Sequence, residues 1–406
     1  MSCEGSIVLH LRAVRRCTAV LTALAAGAMI SACSPGDGSS RLEQVAETDQ
    51  AAETTPAAKP PKVSVSNNAT DVEPGQPVKV LSEVGLASVK MTNEAGKEVE
   101  AEFNDDKTEW STAEPLGYGR EYTIEARDVE GQKVVSSFTT VSPAVTVNAY
   151  VGPLDGSTVG VAQAVTIRFD SPIQDTKKME KLISVETSND TEGGFFWLDP
   201  YEVRWRPKEY WEPGTEVTVK VDLYGRKLAE GVYGSDDTEI SFTIGDKVET
   251  VVDNYDKMLR VYANDELVKE FPISLGTDGS YDTPNGTYVV GDEHPSLVMD
   301  SRTYGLALDA GGYVTPVDYA TQLSYSGIYV HSAPWALWAL GSQNQSHGCI
   351  NASYENAKWF QEYVKRGDPV VVKNTGGSTL TPYDGLGYWN LDWEQRSGGS
   401  GEQLYS

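Results

Sequence analysis

From about residue 63 the chain alternates apolar and polar positions in short runs. "KVSVSNN", "PVKVLS", "EYTIEARD" and "KVVSSFTT" each carry apolar residues at every second position or form a β-rich run. That is the period of strands with one face buried. "EPGQP" and "EGQ" punctuate them with turn residues. Short strands at this spacing over about 80 residues predict a β-sandwich.

The pattern then repeats. Trp110 precedes Tyr122 by twelve positions, and "REYTIEARD" leads on to "SSFTT"; Trp205 precedes Val217 by twelve, and "TEVTVKVDL" leads on to "ISFTI". The two stretches read as diverged copies of one immunoglobulin-like module, residues 63–142 and 143–247, with Trp110, Phe138, Trp205 and Phe242 in their cores. Neither holds a catalytic constellation, so spacer or scaffold is the expected role.

Beyond residue 248 the strands follow a different order. "KMLRVYANDELVKEFPISLG" predicts two strands about a turn at "ANDE", and "TPNGTYVVG" an Asn-Gly turn and a further strand. One strong helix is predicted in "SYENAKWFQEYVKRGDP": Ser353 caps it, Glu355 suits its first turn, and Trp359, Phe360, Tyr363 and Val364 form its apolar stripe. Gly367 and Pro369 end it before the strand "PVVVKN". This third domain spans 248–375. The extension 376–406 carries Trp389 and Trp393, which are costly to leave in water, so its first part is expected to dock on another domain. The fold class is therefore mainly β, two sandwiches followed by a β-rich domain with one main helix and a docked tail.

The first 62 residues break the pattern. Arg12, Arg15 and Arg16 precede the apolar run "CTAVLTALAAGAMISA", too short for a comfortable membrane span, which ends in "ISAC", residues 30–33. This resembles the bacterial lipobox, which implies removal of residues 1–32, lipidation of Cys33 and a membrane anchor outside the cell; a plain secretory signal cleaved nearby is the other reading. Residues 33–62, rich in Ala, Thr, Pro and Glu, form a flexible tether. The net charge of −26 over 406 residues and a pI near 4.5 argue against nucleic acid as a partner.

Charge changes little else, but cysteine does. Cys3, Cys17, Cys33 and Cys349 are the four in the chain. With the first three in the leader or under lipid, Cys349 has no disulfide partner, and a lone thiol in an oxidising compartment is a liability unless it does chemistry. It lies in "SQNQSHGCIN", eighteen residues after His331 in the strand "GIYVHSAPW", where Tyr329 and His331 share one face. Thiol and imidazole within reach make an activated nucleophile; Ser332 offers an oxygen to orient the ring, and the glycine turn offers amides for an oxyanion. A buried, inert Cys349 is the bland alternative. His294, His331, His347 and Cys349 also raise a zinc site, although no H-E-x-x-H helix is present. Asp236 and Asp237 in "GVYGSDDTE" are either calcium ligands or a solvated turn.

"H-x14-S-H-G-C-I-N", from His331 to Asn351, resembles the signature of the L,D-transpeptidases, YkuD-type cysteine enzymes of bacterial cell-wall synthesis. The lipobox, two immunoglobulin-like modules and Trp-rich tail resemble their multidomain actinobacterial branch. The resemblance implies that Cys349 is the nucleophile and His331 the general base and acid, with the Ser332 carbonyl orienting His331. His347 and the amides of Gly348 and Cys349 would shape the oxyanion site, and Asn351 would contact substrate. A flap from about "MDSRTYG" to "YSG" would cover the pocket, with Tyr304 and Tyr313 lining it, Met299 nearby, Ser326 and Gly327 at its edge and Trp335 as a further pocket residue. Peptidoglycan stem peptides would be donor and acceptor, and carbapenem-type β-lactams would acylate the same thiol without metal or ATP. A cell-wall-binding lipoprotein with a dead catalytic domain, or a thiol carboxypeptidase or endopeptidase, are the alternatives.

Overall fold

A computed structural model describes residues 59–394; the leader, Cys33, most of the tether and the last twelve residues lie outside the described residues. The first sandwich packs the sheet holding Lys79–Leu81 and Glu109–Thr112 against the sheet holding Leu86–Asn93, Glu121–Asp128 and Lys133–Thr140. Alternation does the sorting: along Glu121–Asp128 every second residue, from Tyr122 to Asp128, is buried. Met91, Trp110, Tyr122 and Phe138 meet in its core.

The second sandwich repeats that plan. Tyr122 faces Phe138 across one antiparallel pair, and Val217 faces Phe242 across the corresponding pair. In each module a short early strand joins the last one in parallel, Ala69–Val72 with Lys133–Thr140 and Thr158–Val159 with Thr238–Ile244. Trp205 and Trp211 lie 5.4 Å apart in the second core. Gly193 is required beside them, because a Cβ there would stand 1.9 Å from the Trp205 ring. Gly193→Ala is therefore expected to destabilise this module by about 1–3 kcal/mol, seen as faster hydrogen exchange along Glu202–Pro207; parent-like exchange would refute the close approach.

The aspartate pair of this module does not assemble a calcium site. Asp237 Oδ1 accepts from the Tyr224 amide at 2.7 Å and Asp236 Oδ2 from the Ser235 hydroxyl at 2.8 Å. Among the described residues no three His, Cys, Asp or Glu side chains gather as a metal would require. These carboxylates shape a turn.

The third domain has two sheets. One runs in the order Glu266–Pro272, Met258–Ala263, Val248–Asp253, Pro369–Lys373, Gly286–Val289. The other runs Glu293–Asp300, Val314–Gln322, Tyr329–Ser332, Ile350–Ala352. Helix Tyr354–Tyr363 packs on the second sheet, burying Ala357 and Phe360. Its start follows from Ser353, whose hydroxyl accepts from the Asn356 amide at 3.2 Å. Trp359 and Tyr363 stay half-buried and stack at 4.7 Å.

Strand Glu202–Pro207 departs from simple alternation. All six residues of Glu202–Pro207 are buried. Val203 and Trp205 face the core, and the opposite face, with Glu202, Arg204 and Arg206, is covered by the tail. Arg204 donates to the Gly385 carbonyl, and Arg206 donates to Leu391 O at 2.8 Å while lying 4.3 Å from the Trp389 ring centre. The Tyr388 hydroxyl donates to Ala162 O and accepts from the Ala164 amide, and Trp389 also donates to Ala162 O. Asn390 exchanges two hydrogen bonds with the backbone of Thr287 in the third domain. The tail thus ties the second sandwich to the third domain.

Candidate active site

The site is built by a parallel register. Strand Ile350–Ala352 pairs with Tyr329–Ser332 so that His331 stands beside Asn351 and Val330 beside Ile350. Residues eighteen apart in sequence therefore reach the same end of one sheet. Cys349 enters that strand from a sharp turn. Gly348 has φ 124°, a region open to glycine, and a Cβ there would meet Ile328 at 2.8 Å.

Two hydroxyls lock the turn. Ser346 Oγ accepts from the Gly348 amide at 3.0 Å and donates to the Cys349 carbonyl at 2.6 Å. Thr283 donates to the Gly348 carbonyl at 2.8 Å and accepts from the Gly276 amide at 3.0 Å. The Gly348 amide, expected to face an oxyanion, is thus turned into the frame of the loop. Ser346 competes for it from two residues away.

His331 is buried, and its Nδ1 lies 2.9 Å from the Ser332 carbonyl. A carbonyl only accepts, so Nδ1 carries the hydrogen and Nε2 keeps its lone pair. Ser332 Oγ is buried with no hydrogen-bond partner among the described residues, so the backbone oxygen is the orienting group. The Cys349 thiol donates to the Gly327 carbonyl at 3.3 Å rather than to His331, and the Tyr329 amide approaches the sulfur.

Both reactive groups open on one cavity of about 180 Å³. Met299, Tyr313, Thr315 and Val317 line it from the arm formed by Glu293–Asp300 and Val314–Gln322. Trp335, half exposed, stands 6.2 Å from the His331 ring, and Gln345, Ser346, His347 and Asn351 close the other side. His347 is held between Tyr281 at 4.3 Å and Tyr313 at 4.9 Å. Tyr304 lies outside the lining, its ring packed on Gly327 and its hydroxyl 3.3 Å from that of Tyr329. Ser326 and Gly327 sit behind the sulfur; the Ser326 amide donates to Asp384 and its hydroxyl lies 3.1 Å from Ser324 Oγ. His294 contributes its carbonyl to Gln361 and its ring stands 6.4 Å from Tyr329, so the histidines and Cys349 form no metal-ligand set among the described residues.

Burial sets the protonation. Desolvation pushes the Cys349 thiol up to about 12 and draws the His331 imidazole below its ordinary value, the Ser332 carbonyl opposing in part. At neutral pH the pair is therefore thiol and neutral imidazole. Burial also pushes Tyr313 up to about 12, keeping it a neutral donor.

Ser346, Thr283, Tyr281 and Asp384 carry no motif of their own, and sequence reading assigned them no role. Only Ser346 stands inside the signature; the others reach their partners at the site across 58 to 66 positions of chain.

Comparison with known proteins identifies two families along the chain. The profile of the YkuD L,D-transpeptidase catalytic domain matches residues 247–372, and that of a bacterial Ig domain matches 69–227. L,D-transpeptidase 2 of Mycobacterium tuberculosis (strain CDC 1551 / Oshkosh) is 44% identical over 94% of this chain and 94% of its own length. The chain belongs to the L,D-transpeptidase family. L,D-transpeptidase 5 of Mycobacterium tuberculosis (strain ATCC 25618 / H37Rv) is 36% identical over 81% of this chain and 74% of its own. A solved L,D-transpeptidase structure in complex with imipenem is 37% identical, covers 57% of this chain and 99% of that one, and superposes with a TM-score of 0.49. This L,D-transpeptidase crosslinks peptidoglycan by L,D-transpeptidation. Its matched catalytic segment contains His331 and Cys349, while Asp384 lies beyond it.

Proposed function

We propose that Cys349 performs the transpeptidation as a covalent nucleophile, with His331 as its base and acid. The observation that carries this is the parallel register that brings the buried thiol and an imidazole with a free Nε2 to one cavity. His331 Nε2 takes the thiol proton as sulfur attacks the carbonyl carbon of the third residue, diaminopimelate, of a donor tetrapeptide stem. The tetrahedral intermediate collapses with cleavage of the C–N bond, and the leaving D-Ala amine takes the proton from the imidazolium. The side-chain amine of a second stem then attacks the thioester, its proton passes through His331 to sulfur, and a 3→3 crosslink and free thiol result. The energy comes from the broken peptide bond.

Tyr313, Met299, Trp335, His347 and Asn351 line the path that a stem would occupy. With the Gly348 amide engaged by Ser346, the Cys349 amide and groups on the cavity side are left to stabilise the oxyanion. A carbapenem ring presents an activated amide to the same thiol. Export and a lipid on Cys33 would place this catalyst on the outer face of the cytoplasmic membrane, facing the wall; the leader sequence and the acidic, Pro-rich tether support that placement.

Intact-protein mass spectrometry tests the chemistry. The exported chain is expected to take one carbapenem equivalent, to lose it in Cys349→Ala, and to be indifferent to EDTA. With a disaccharide-tetrapeptide it should release D-Ala and form the dimer; tripeptide alone would make it a hydrolase. A folded parent that takes no adduct would sink the mechanism.

A further inference from the structure

The carbonyl that accepts the Cys349 thiol hydrogen belongs to Gly327, in the tight connection between Val314–Gln322 and Tyr329–Ser332. That connection is held from two sides. From within, Leu323 N–H bonds to Ile328 O, and Ser324 Oγ accepts from the Ile328 amide at 2.8 Å. From without, the nearly buried carboxylate of Asp384 accepts from two successive amides, Tyr325 N–H at 2.8 Å and Ser326 N–H at 3.0 Å. Asp384 ends a short turn, Pro382–Asp384, in the tail beyond the catalytic segment. The next residue, Gly385, packs against the Tyr325 ring and accepts from Arg204 of the second sandwich.

We propose that Asp384 is a positioning residue for the nucleophile: by fixing the Tyr325–Ser326 amides it places the Gly327 carbonyl that holds the Cys349 thiol. This rests on the reading of Cys349 as nucleophile. Two amides converging on one carboxylate make a charge-assisted fork that no neutral side chain reproduces. A carbonyl oxygen accepts from S–H and repels S⁻, so its position decides where the sulfur points and how readily the proton leaves. The Tyr329 amide, two residues further on at the start of the strand, approaches the sulfur from the donor side. Tyr329 is held in its strand by pairing with Gln322, so moving the turn shifts the carbonyl and leaves the amide in place. Asp384 itself does not line the cavity.

Asp384→Asn keeps size and shape but presents an NH₂ to one of the two amides, so one bond is lost and two donors face each other. Carbapenem acylation at saturating drug is expected to slow about 10–100-fold, the cost of a misplaced nucleophile, with the half-saturating concentration unchanged. Alkylation of Cys349 by iodoacetamide, followed against pH, is expected to show a lower midpoint than in the parent, because the carbonyl that favours S–H has moved away. Of the titratable side chains around the thiol, His331, Tyr313 and Tyr329 feel no charge from Asp384, and Tyr288, which does, is held neutral by burial in either form. Parent-like acylation and midpoint in the folded variant would overturn the proposal. So would slower acylation with an unchanged midpoint, which would mark Asp384 as structural only. Should Asp384→Asn not fold, the exposed Thr381→Ala serves, since Thr381 Oγ1 accepts from the Tyr383 amide and caps the turn; a smaller change of the same sign in both readouts is expected. Alkylation needs no catalysis, so it tests the hold of Asp384 on the thiol even where the parent takes no drug adduct, an outcome that would bring down the nucleophile reading instead.

Discussion

Replacing His331 with glutamine is expected to lower the first-order rate of carbapenem acylation at pH 7 by about 10²–10⁴-fold, the worth of a positioned general base. The shape of the pH profile is the sharper test. The His331 imidazole is drawn below its ordinary value by burial, and only its neutral form can take the thiol proton. The parent rate should therefore be fully present above that depressed value and fall as pH falls through it. The thiol is pushed up to about 12 by the same burial, so no second limb enters near neutrality. A broad plateau results. In His331→Gln only the small thiolate fraction reacts, and the rate should climb about tenfold per pH unit toward the thiol's own midpoint. A preformed thiolate–imidazolium pair would behave oppositely, with activity already present at acid pH and no such climb in the variant. His347 is the other imidazole on the cavity, so His347→Asn must keep the acid limb for the assignment to stand. Tyr313 and Tyr329 are both pushed up by burial and add nothing below the alkaline range.

How much of this was legible in the sequence depends on range. Alternation along Glu121–Asp128 and the twelve-residue Trp–Tyr and Trp–Val spacings marked two copies of one sandwich, and Tyr122–Phe138 and Val217–Phe242 take equivalent cross-strand places. Those signals are local, set by strand period and turn. Cys349 and His331 were legible for a different reason: a lone thiol after glycine and a histidine on a β-rich run are chemically conspicuous. The frame around them was not. Thr283 reaches Gly348 across 65 positions and Asp384 reaches Ser326 across 58, and one hydrogen bond between distant polar residues leaves no period to read. The Gly348 amide shows the limit within the motif itself. The glycine turn and the family resemblance allowed it to face an oxyanion, but Ser346 Oγ takes it. Nothing local in Glu202–Pro207 marks its charged face as buried; the tail docked from about 180 positions away supplies the cover.

Removing Glu202 should have the largest effect on stability, because of that tail. Arg204 is 1% exposed, and its guanidinium meets Glu202 Oε1 at 2.6 and 2.7 Å. Its other contacts are the Gly385 carbonyl and the Tyr388 ring, 5.3 Å away. Glu202→Leu therefore leaves a buried cation without its counter-ion, and the expected loss is about 3–5 kcal/mol. In a chain of several domains a single unfolding midpoint is ill-defined, so hydrogen exchange along Glu202–Pro207 is the measurement, reading the local free energy of the strand directly. The double variant Glu202→Leu with Arg204→Met should recover most of that loss, since an apolar pair of similar size replaces a buried ion pair at little cost. It also removes the donor to Gly385, the neighbour of Asp384. Recovered protection with acylation still slowed would show that the second sandwich steadies the nucleophile through the tail, separately from holding itself together. Unchanged exchange in Glu202→Leu would mean that Arg204 finds water there, and the tail would then cover the strand without sealing it.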